Sequence, residues 1–274
     1  MSGLEEKIRF AGADGLNLCG ILGASGKRPG ICVILCHGLT VDKEEGGVFT
    51  RLAGALSQAG LDSFRFDFRG NGESDGDFVD ATVTGEVRDL EAAVRFLESR
   101  GYSVFGFLGA SFGGGAVALH AATNPGRAKA LVMWNALIDY ADLIEPRLQW
   151  HKAHWGRKAW DTAREKGYVE VSAAKTVRIG VSMLEEILVL HPGVELGKAG
   201  VPVLFVHGDQ DEAVSCADSV KYSTLVPGAE LVIIHGAAHG FHQEDGTAEA
   251  ARKAAVDFFL RNLLTAPRGE GAAG

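Results

Sequence analysis

Cysteine is scarce in this sequence. Four of the 274 residues are cysteine, and no two of them form a C-x-x-C pair. Such pairs are typical of structural zinc sites and redox motifs, so neither is indicated. Cys32 and Cys36 stand four residues apart in a predicted strand, which would separate them by about 13 Å, too far for a disulfide. We therefore expect all four cysteines to be reduced thiols.

The sequence also lacks a long basic segment and a long apolar one. Its 27 Lys and Arg against 35 Asp and Glu give a net charge of −8, which argues against nucleic acid and anionic membranes as partners. No apolar run reaches the roughly 20 residues that span a bilayer. Residues 1–10 carry four charged side chains and have no apolar segment typical of a secretion signal. These features favour a cytoplasmic protein.

Apolar residues make up 46% of the sequence and charged residues 23%. This composition is typical of a globular protein, so the chain can bury one large core. Short apolar runs alternate with segments of helical periodicity, which predicts a mostly parallel sheet with helices on both faces, an α/β fold. The predicted strands are 5–10, 16–22, 31–36, 61–67, 104–108, 128–134, 201–207 and 230–235, and the predicted helices are 48–59, 82–100, 114–122 and 248–264.

One long segment interrupts this alternation. Residues 136–197 lie between two predicted strands and are too long for a simple crossover. We interpret them as a helical cap inserted over the carboxyl ends of the strands, with an elaborated crossover beside the sheet as the alternative. The predicted core is then 1–135 with 198–266, and a disordered tail is expected over 267–274.

The most informative stretch is 104–115. An apolar strand leads into Gly109-Ala110-Ser111-Phe112-Gly113, and a helix of small residues follows. A serine at the apex of G-x-S-x-G, between a strand and a helix, is typical of a nucleophile elbow. The glycines suit a strained turn that lifts the hydroxyl above the sheet, near the positive end of the helix. Ser111 is therefore the candidate nucleophile.

A serine hydroxyl needs a base to take its proton and a carboxylate to orient that base. On a sheet with such an elbow the chain order is serine, acid, histidine. His239, in the loop after strand 230–235, is the candidate base, with His235 and His242 as rivals. Asp211, after strand 201–207, is the candidate acid.

Two other acids follow the same strand, Asp209 and Glu212. Asp209 comes directly after Gly208, where a short acid commonly bonds the backbone of its own turn. Asp211 follows where the loop can curl back toward the serine, so we favour it.

The loop after strand 31–36 supplies the remaining chemistry. It begins His37-Gly38-Leu39, and the Leu39 N–H together with the Phe112 N–H would form an oxyanion hole. His37 itself is expected to be structural. His37, His207 and His239 lack ligand-like spacing, so no metal is expected. The glycines after Ser111 lack the lysine of a phosphate-binding loop, so no cofactor is expected either.

These motifs together resemble the α/β-hydrolase superfamily over nearly the whole chain. The resemblance rests on His37-Gly38, the loop 67–74, the elbow 109–113, the loop 207–211 and Gly236-Ala-Ala-His-Gly-Phe. The chain is most similar to small bacterial feruloyl or cinnamoyl esterases and serine aminopeptidase-like hydrolases. The resemblance implies a structural loop 67–74, with Arg69 paired to acids. Ala110 stands where many relatives have His, which weakens any transfer of substrate preference.

The leading hypothesis is a serine carboxylesterase that forms an acyl-enzyme on a small-molecule ester. The same triad also supports peptide, thioester or carbon–carbon bond hydrolysis and acyl transfer, and a non-catalytic ligand receptor is a further alternative. A homodimer is left open. Aromatic side chains line apolar pockets, so the residues predicted to contact substrate are Trp134, Trp150 and Trp155. Trp150, Trp155 and Trp160 could instead anchor the cap to the core.

Overall fold

The computed structural model of the chain describes residues 4–243 and 245–264; the tail predicted over 267–274 lies outside them. The strands of the described part are β1 (Leu4–Ala11), β2 (Asn17–Ala24), β3 (Ile31–Cys36), β4 (Asp62–Phe66), β5 (Val104–Ala110), β6 (Ala130–Trp134), β7 (Tyr168–Ser172), β8 (Thr176–Gly180), β9 (Val203–Gly208) and β10 (Glu230–Ile234). Its α-helices are α1 (Val48–Ala59), α2 (Val83–Ser99), α3 (Gly113–Thr123), α4 (Ala141–Ile144), α5 (Gln149–His154), α6 (Arg157–Lys166), α7 (Val181–Val189), α8 (Pro192–Leu196), α9 (Cys216–Leu225) and α10 (Gly246–Leu263).

Eight strands form one sheet in the order β1-β2-β4-β3-β5-β6-β9-β10. β2 pairs antiparallel with β1 and β4, and every later neighbour pair in the order is parallel. The prediction of a mostly parallel sheet is therefore confirmed. The carboxyl ends of β3, β5, β6 and β9 lie side by side, which brings the loops that follow them together at one edge.

Helices cover both faces of this sheet. Apolar residues of α1 and α10 pack on one face, and those of α2, α3 and α9 pack on the other. The central strands are buried on both faces, which explains why they read as continuous apolar runs. α1 ends at Gly60, whose φ of +84° closes the helix in the left-handed region, as the sequence predicts. No helix in the described ranges has both the length and the apolar character needed to cross a bilayer.

The insertion, residues 136–197, is not purely helical, so this part of the prediction is wrong. It also contains a two-stranded antiparallel hairpin, β7–β8. Val169, Val171, Val177 and Ile179 are buried, whereas Glu170, Ser172, Thr176 and Arg178 between and beside them are exposed. This alternation with a period of two is typical of a strand with one buried face.

The insertion rests on the core at several points. The Glu186 carboxylate on α7 accepts the Thr84 N–H of α2 at 2.9 Å. The Ala174 N–H, at the hairpin tip, donates to Thr40 Oγ1 at 3.3 Å. Most of the buried apolar side chains of the insertion form one cluster with Phe112 of the elbow. These contacts place the insertion over the serine.

Candidate active site

Ser111 occupies the sharp turn between β5 and α3. Its φ is +49°, a left-handed conformation that is strained for a residue with a Cβ. The turn can be this tight because its neighbours lack side chains. A Cβ on Gly109 would lie 2.6 Å from Gly114 Cα, and one on Gly113 would lie 2.4 Å from the His37 carbonyl oxygen. The hydroxyl is thereby held at the amino end of α3.

The fold brings Ser111, His239 and Asp211 together in one hydrogen-bonded chain. His239 Nε2 lies 3.1 Å from Ser111 Oγ, and His239 Nδ1 lies 2.7 Å from Asp211 Oδ2. An ionised carboxylate only accepts hydrogen bonds, so Nδ1 carries the ring proton and Nε2 faces the serine as an acceptor. Burial lowers the pKa of His239, but the carboxylates of Asp211 and Glu45 outweigh it and the pKa is raised. The imidazole can accept the serine proton in this arrangement.

Both carboxylate oxygens of Asp211 accept hydrogen bonds. Its Oδ1 accepts the N–H groups of Ala213 and Val214 at 2.9 and 2.8 Å, and its Oδ2 accepts Asn135 Nδ2 at 2.6 Å. Burial raises its pKa, but the hydrogen bonds from His207 and His239 overcome this and hold the pKa well below its ordinary range. Asp211 therefore stays ionised throughout the neutral range.

The other candidates lie elsewhere. Asp209 accepts the Gly236 N–H at 2.8 Å and pairs with His235 Nδ1 at 2.8 Å, so it secures the turn after β10. The expectation that Asp209 bonds the backbone of its own turn is therefore wrong. The His235 side chain is 86% exposed. Glu212 is exposed, and His242 is an exposed residue at the cavity edge. None of these four makes a hydrogen bond to Ser111 within the described ranges.

His37 orients the peptide that carries the Leu39 N–H. The Phe68 N–H donates to His37 Nε2 at 3.1 Å, so Nδ1 bears the proton and donates to the Gly38 carbonyl at 2.8 Å. Burial lowers the pKa of His37, consistent with a neutral ring. In a planar trans peptide the N–H points opposite to the carbonyl, so the Leu39 N–H points away from His37.

The two predicted oxyanion donors line one cavity with Ser111 and His239. In the part of the chain that the structure describes, neither the Leu39 N–H nor the Phe112 N–H donates to another protein group. Two free donors beside a nucleophile suit the stabilisation of a developing oxyanion.

Glu45 is a residue that sequence reasoning missed. It is 5% exposed, and its Oε2 accepts the Gly38 N–H at 2.7 Å. It also lines the cavity. The sequence analysis makes no prediction for Glu45, and the local signal is limited to an acid beside Gly46-Gly47.

The cavity has a volume of about 160 Å³ and is walled by both the core and the insertion. Trp150 and Trp155 line it, as predicted, whereas the cavity lining does not include Trp160. A larger groove of about 490 Å³ lies between the β1–β2 turn and α2 and contains none of the candidate residues. The insertion contributes Leu137, Trp150, His151, Trp155, Ala173 and Ala174 to the cavity.

Trp134 does not line this cavity, contrary to the prediction. It ends β6, is 1% exposed, and packs edge-on against Phe241 with ring centroids 5.2 Å apart. Its ring belongs to the face of the sheet that α10 covers, and so it cannot extend beyond the strand end. Trp134 supports the loop that carries His239, which stands two residues before Phe241.

The loop 67–74 and the cysteines have structural roles. Arg69 pairs with Asp89 at 2.7 Å and with Asp14 at 3.2 Å, as the resemblance implies.

All four cysteines are free, as expected. Cys32 and Cys36 are buried in the core, and this burial raises the pKa of both thiols well above the ordinary value.

The sheet, the elbow and the position of the inserted segment define an α/β hydrolase. The family model described as serine aminopeptidase, S33, matches residues 27–173, more than half of the chain. The chain therefore belongs to this family. The matched segment includes the Gly38–Leu39 loop and Ser111 and ends before Asp211 and His239.

Solved structures agree with this assignment. Est1E from Butyrivibrio proteoclasticus with bound ferulic acid is 26% identical, covers 94% of this chain and 100% of its own, and superposes with a TM-score of 0.79. The α/β hydrolase GrgF from Penicillium sp. sh18, at 20% identity, 96% and 100% coverage and a TM-score of 0.75, shows the shared fold. The same holds for the esterase Pf2001 from Pyrococcus furiosus, at 18% identity, 95% and 94% coverage and a TM-score of 0.70.

A curated relative matches over a shorter stretch. The non-heme chloroperoxidase CPO-A1 from Kitasatospora aureofaciens is 29% identical over 89 residues. The match spans 32% of this chain and 32% of that relative.

Proposed function

We propose that this chain is a serine carboxylesterase that cleaves small-molecule esters through an acyl-enzyme. The observation that carries the proposal is the hydrogen-bonded chain from Ser111 Oγ through His239 to Asp211, at 3.1 and 2.7 Å. It opens on an apolar cavity beside two unengaged N–H groups. Nucleophile, base, orienting acid and oxyanion donors are the set that acyl transfer requires.

In the first half of the reaction, Ser111 Oγ attacks the ester carbonyl carbon while its proton passes to His239 Nε2. The carbonyl oxygen becomes an oxyanion that the Leu39 and Phe112 N–H groups stabilise, each worth about 3–4 kcal/mol. The bond to the alcohol oxygen then breaks, and His239 returns the proton to that oxygen. The acyl group remains on Ser111.

In the second half, water attacks the acyl carbon and gives its proton to His239. The acyl–Oγ bond breaks, the proton returns to Oγ, and a carboxylic acid leaves. Asp211 stays ionised throughout and stabilises the imidazolium that forms in each half. The low pKa of Asp211 supports this role because the carboxylate is not itself protonated.

A burst experiment tests the proposal. Mixing the protein with p-nitrophenyl butyrate should release one equivalent of p-nitrophenol per active site, followed by slower steady turnover. An absence of both phases on acetate, butyrate and aryl esters would overturn the esterase proposal. Ferulate esters belong in this panel because the similar Est1E was solved with ferulic acid.

Peptide-bond hydrolysis is the second candidate. The description of the matching family, serine aminopeptidase, favours it, and the triad is equally suited to an amide. Aminoacyl p-nitroanilides run beside the matching p-nitrophenyl esters separate the two. A kcat/KM for the anilides near that of the esters would assign a peptidase.

The pH dependence of kcat/KM should follow His239. The base must be neutral to accept the serine proton, and its pKa is raised above the ordinary 6.5. Activity is therefore expected in full above that raised pKa and to fall tenfold per unit as the pH drops below it. A profile that stays flat from pH 8 to pH 5, on protein that remains folded by circular dichroism, would contradict this role.

Trp150 should determine which acyl groups are preferred. Trp150→Ala enlarges an apolar wall of the cavity, so we expect the ratio of kcat/KM for aryl esters to that for acetate to change about tenfold. Trp160→Ala is the matched control, because Trp160 belongs to the same insertion and is outside the cavity lining. An equal loss on all esters that parallels a lower Tm would assign Trp150 to anchoring the insertion.

A further inference from the structure

The loop between β3 and α1 brings a buried carboxylate to the active site. Glu45 is 5% exposed and lines the same cavity as Ser111 and His239. Its Oε2 accepts the Gly38 N–H at 2.7 Å. A Cβ on Gly38 would lie 3.6 Å from both Glu45 Oε1 and Ser111 Oγ, so the carboxylate and the nucleophile flank the same glycine.

Two side chains fix the backbone ahead of the Leu39 N–H. Glu45 holds the Gly38 N–H, and His37 Nδ1 holds the Gly38 carbonyl at 2.8 Å. The Gly38 carbonyl and the Leu39 N–H belong to one planar trans peptide and point in opposite directions. Because the carbonyl is held toward His37, the Leu39 N–H points away from His37. The oxyanion donor is thus oriented before substrate arrives, which is the condition for efficient electrostatic stabilisation.

Glu45 is unfavourable for folding in two respects. Its φ of +48° is left-handed for a residue with a Cβ, and such strain persists only where the surroundings impose it. Its carboxylate is buried, yet no Lys, Arg or His of the described ranges forms an ion pair with it. Strain and desolvation that do not favour folding are found at sites where function requires them.

We propose that Glu45 is a positioning residue of this active site, which orients the Leu39 N–H through Gly38 and stabilises protonated His239 by its charge. The proposal rests on the serine hydrolase function proposed above and adds a fourth polar side chain to it. Asp211 orients His239 from one side of the ring, and Glu45 acts from the loop that carries the oxyanion donor.

The electrostatics of the surrounding groups support this role. His239 faces Glu45 from the loop after β10, and Asp42 faces it from its own loop. Ser111 and His242 line the same cavity. Burial raises the pKa of Glu45 to about 7, the Gly38 hydrogen bond and His239 oppose this, and Asp42 adds to it. In turn, Glu45 contributes to the raised pKa of His239.

Glu45→Gln tests the charge alone, because an amide oxygen can still accept the Gly38 N–H. Glu45 carries its charge above its raised pKa of about 7 and titrates together with His239. Removing that charge lowers the pKa of His239, so the acid limb of kcat/KM should move to lower pH by about half a unit. The plateau kcat should fall severalfold, because the imidazolium that forms in the transition state loses part of its stabilisation, and Tm should be unchanged or higher. An NMR titration of the His239 ring, which needs no turnover, should show the same shift.

Glu45→Ala tests the orienting hydrogen bond. Without an acceptor for the Gly38 N–H, the Leu39 donor loses its fixed direction, and kcat should fall about 10- to 100-fold. KM should change by less than about threefold, because the interaction is made in the transition state. A purely structural side chain would lower Tm and leave kcat per folded molecule unchanged.

Glu212→Gln is the control. It removes the same charge from an exposed residue adjacent to Asp211 and should move neither the pH profile nor the His239 titration. The proposal is overturned if Glu45→Gln and the wild-type protein titrate alike, or if Glu45→Ala keeps the wild-type kcat. If the wild-type protein hydrolyses no ester, the proposed function falls, and the NMR titration still decides whether Glu45 acts on His239.

Discussion

Replacing Ser111 with Ala should reduce kcat about 10⁴-fold or more on every substrate that the wild-type protein turns over. The variant removes the only side-chain atom that can form the acyl bond and leaves the elbow backbone in place. Ser111 is held by backbone hydrogen bonds, from its N–H to the Trp134 carbonyl at 3.0 Å and from the Leu137 N–H to its carbonyl at 2.8 Å. These survive the substitution, so Tm should change little.

Ser215→Ala provides the control for this result. Ser215 precedes α9 and its side chain makes no capping hydrogen bond, so this variant should keep wild-type activity. Steady-state assays and melting curves on the three proteins decide the outcome. Wild-type turnover by pure, folded Ser111→Ala would overturn the enzymatic interpretation.

The second large effect is expected at Asp211. Asp211→Asn should lower kcat roughly 10³- to 10⁴-fold, because an amide group favours the wrong tautomer of His239. The amide also places a donor among groups that already donate, namely Asn135 Nδ2 and the N–H groups of Ala213 and Val214. Some loss of Tm should accompany the loss of rate.

Asp209→Asn is the matched comparison for Asp211→Asn. Asp209 is exposed and secures the Gly236 turn, so its variant should keep wild-type kcat with a slightly lower Tm. Both proteins are assayed side by side on p-nitrophenyl butyrate. If Asp209→Asn is the inactive variant and Asp211→Asn turns over normally, the assignment of the orienting acid is wrong.

Much of the fold could be predicted because local pattern and tertiary environment agree in the core. β3 and α1 begin and end where the sequence places them. The apolar run of β3 is buried on both faces, and Gly60 closes α1 in a left-handed conformation that suits glycine. The elbow was predictable for the same reason, since close backbone approach leaves room only for glycine at 109 and 113.

The insertion is harder to predict because its tryptophans and its helical spacing favour helices and obscure the short hairpin between them. The alternation in β7 and β8 is a clear strand signal, yet each run is only five residues long. α9 was missed because its apolar residues form no continuous stripe. The prediction that Trp134 lines the cavity is wrong because its ring packs under the sheet against Phe241, a contact that aromatic character alone does not indicate.

The supporting polar groups of the site depend on contacts between distant segments. Asn135 donates a hydrogen bond to Asp211, which lies 76 residues away in the sequence. The Phe68 N–H, which determines the tautomer of His37, comes 31 residues after that histidine. Glu45 lies only seven residues from Gly38, but its role depends on a left-handed turn that brings the carboxylate back. Spacing along the chain cannot reveal such arrangements.

The central claim, that Ser111 carries the acyl group, is tested most directly by mass spectrometry of the intact protein during turnover. Rapid acid quenching of the reaction with p-nitrophenyl butyrate should show a fraction of the protein heavier by one butyryl group, and peptide mapping should place that group on Ser111. The Ser111→Ala protein treated identically should remain unmodified. A butyryl group on another residue, or steady turnover with no acylated protein at any quench time, would contradict the account.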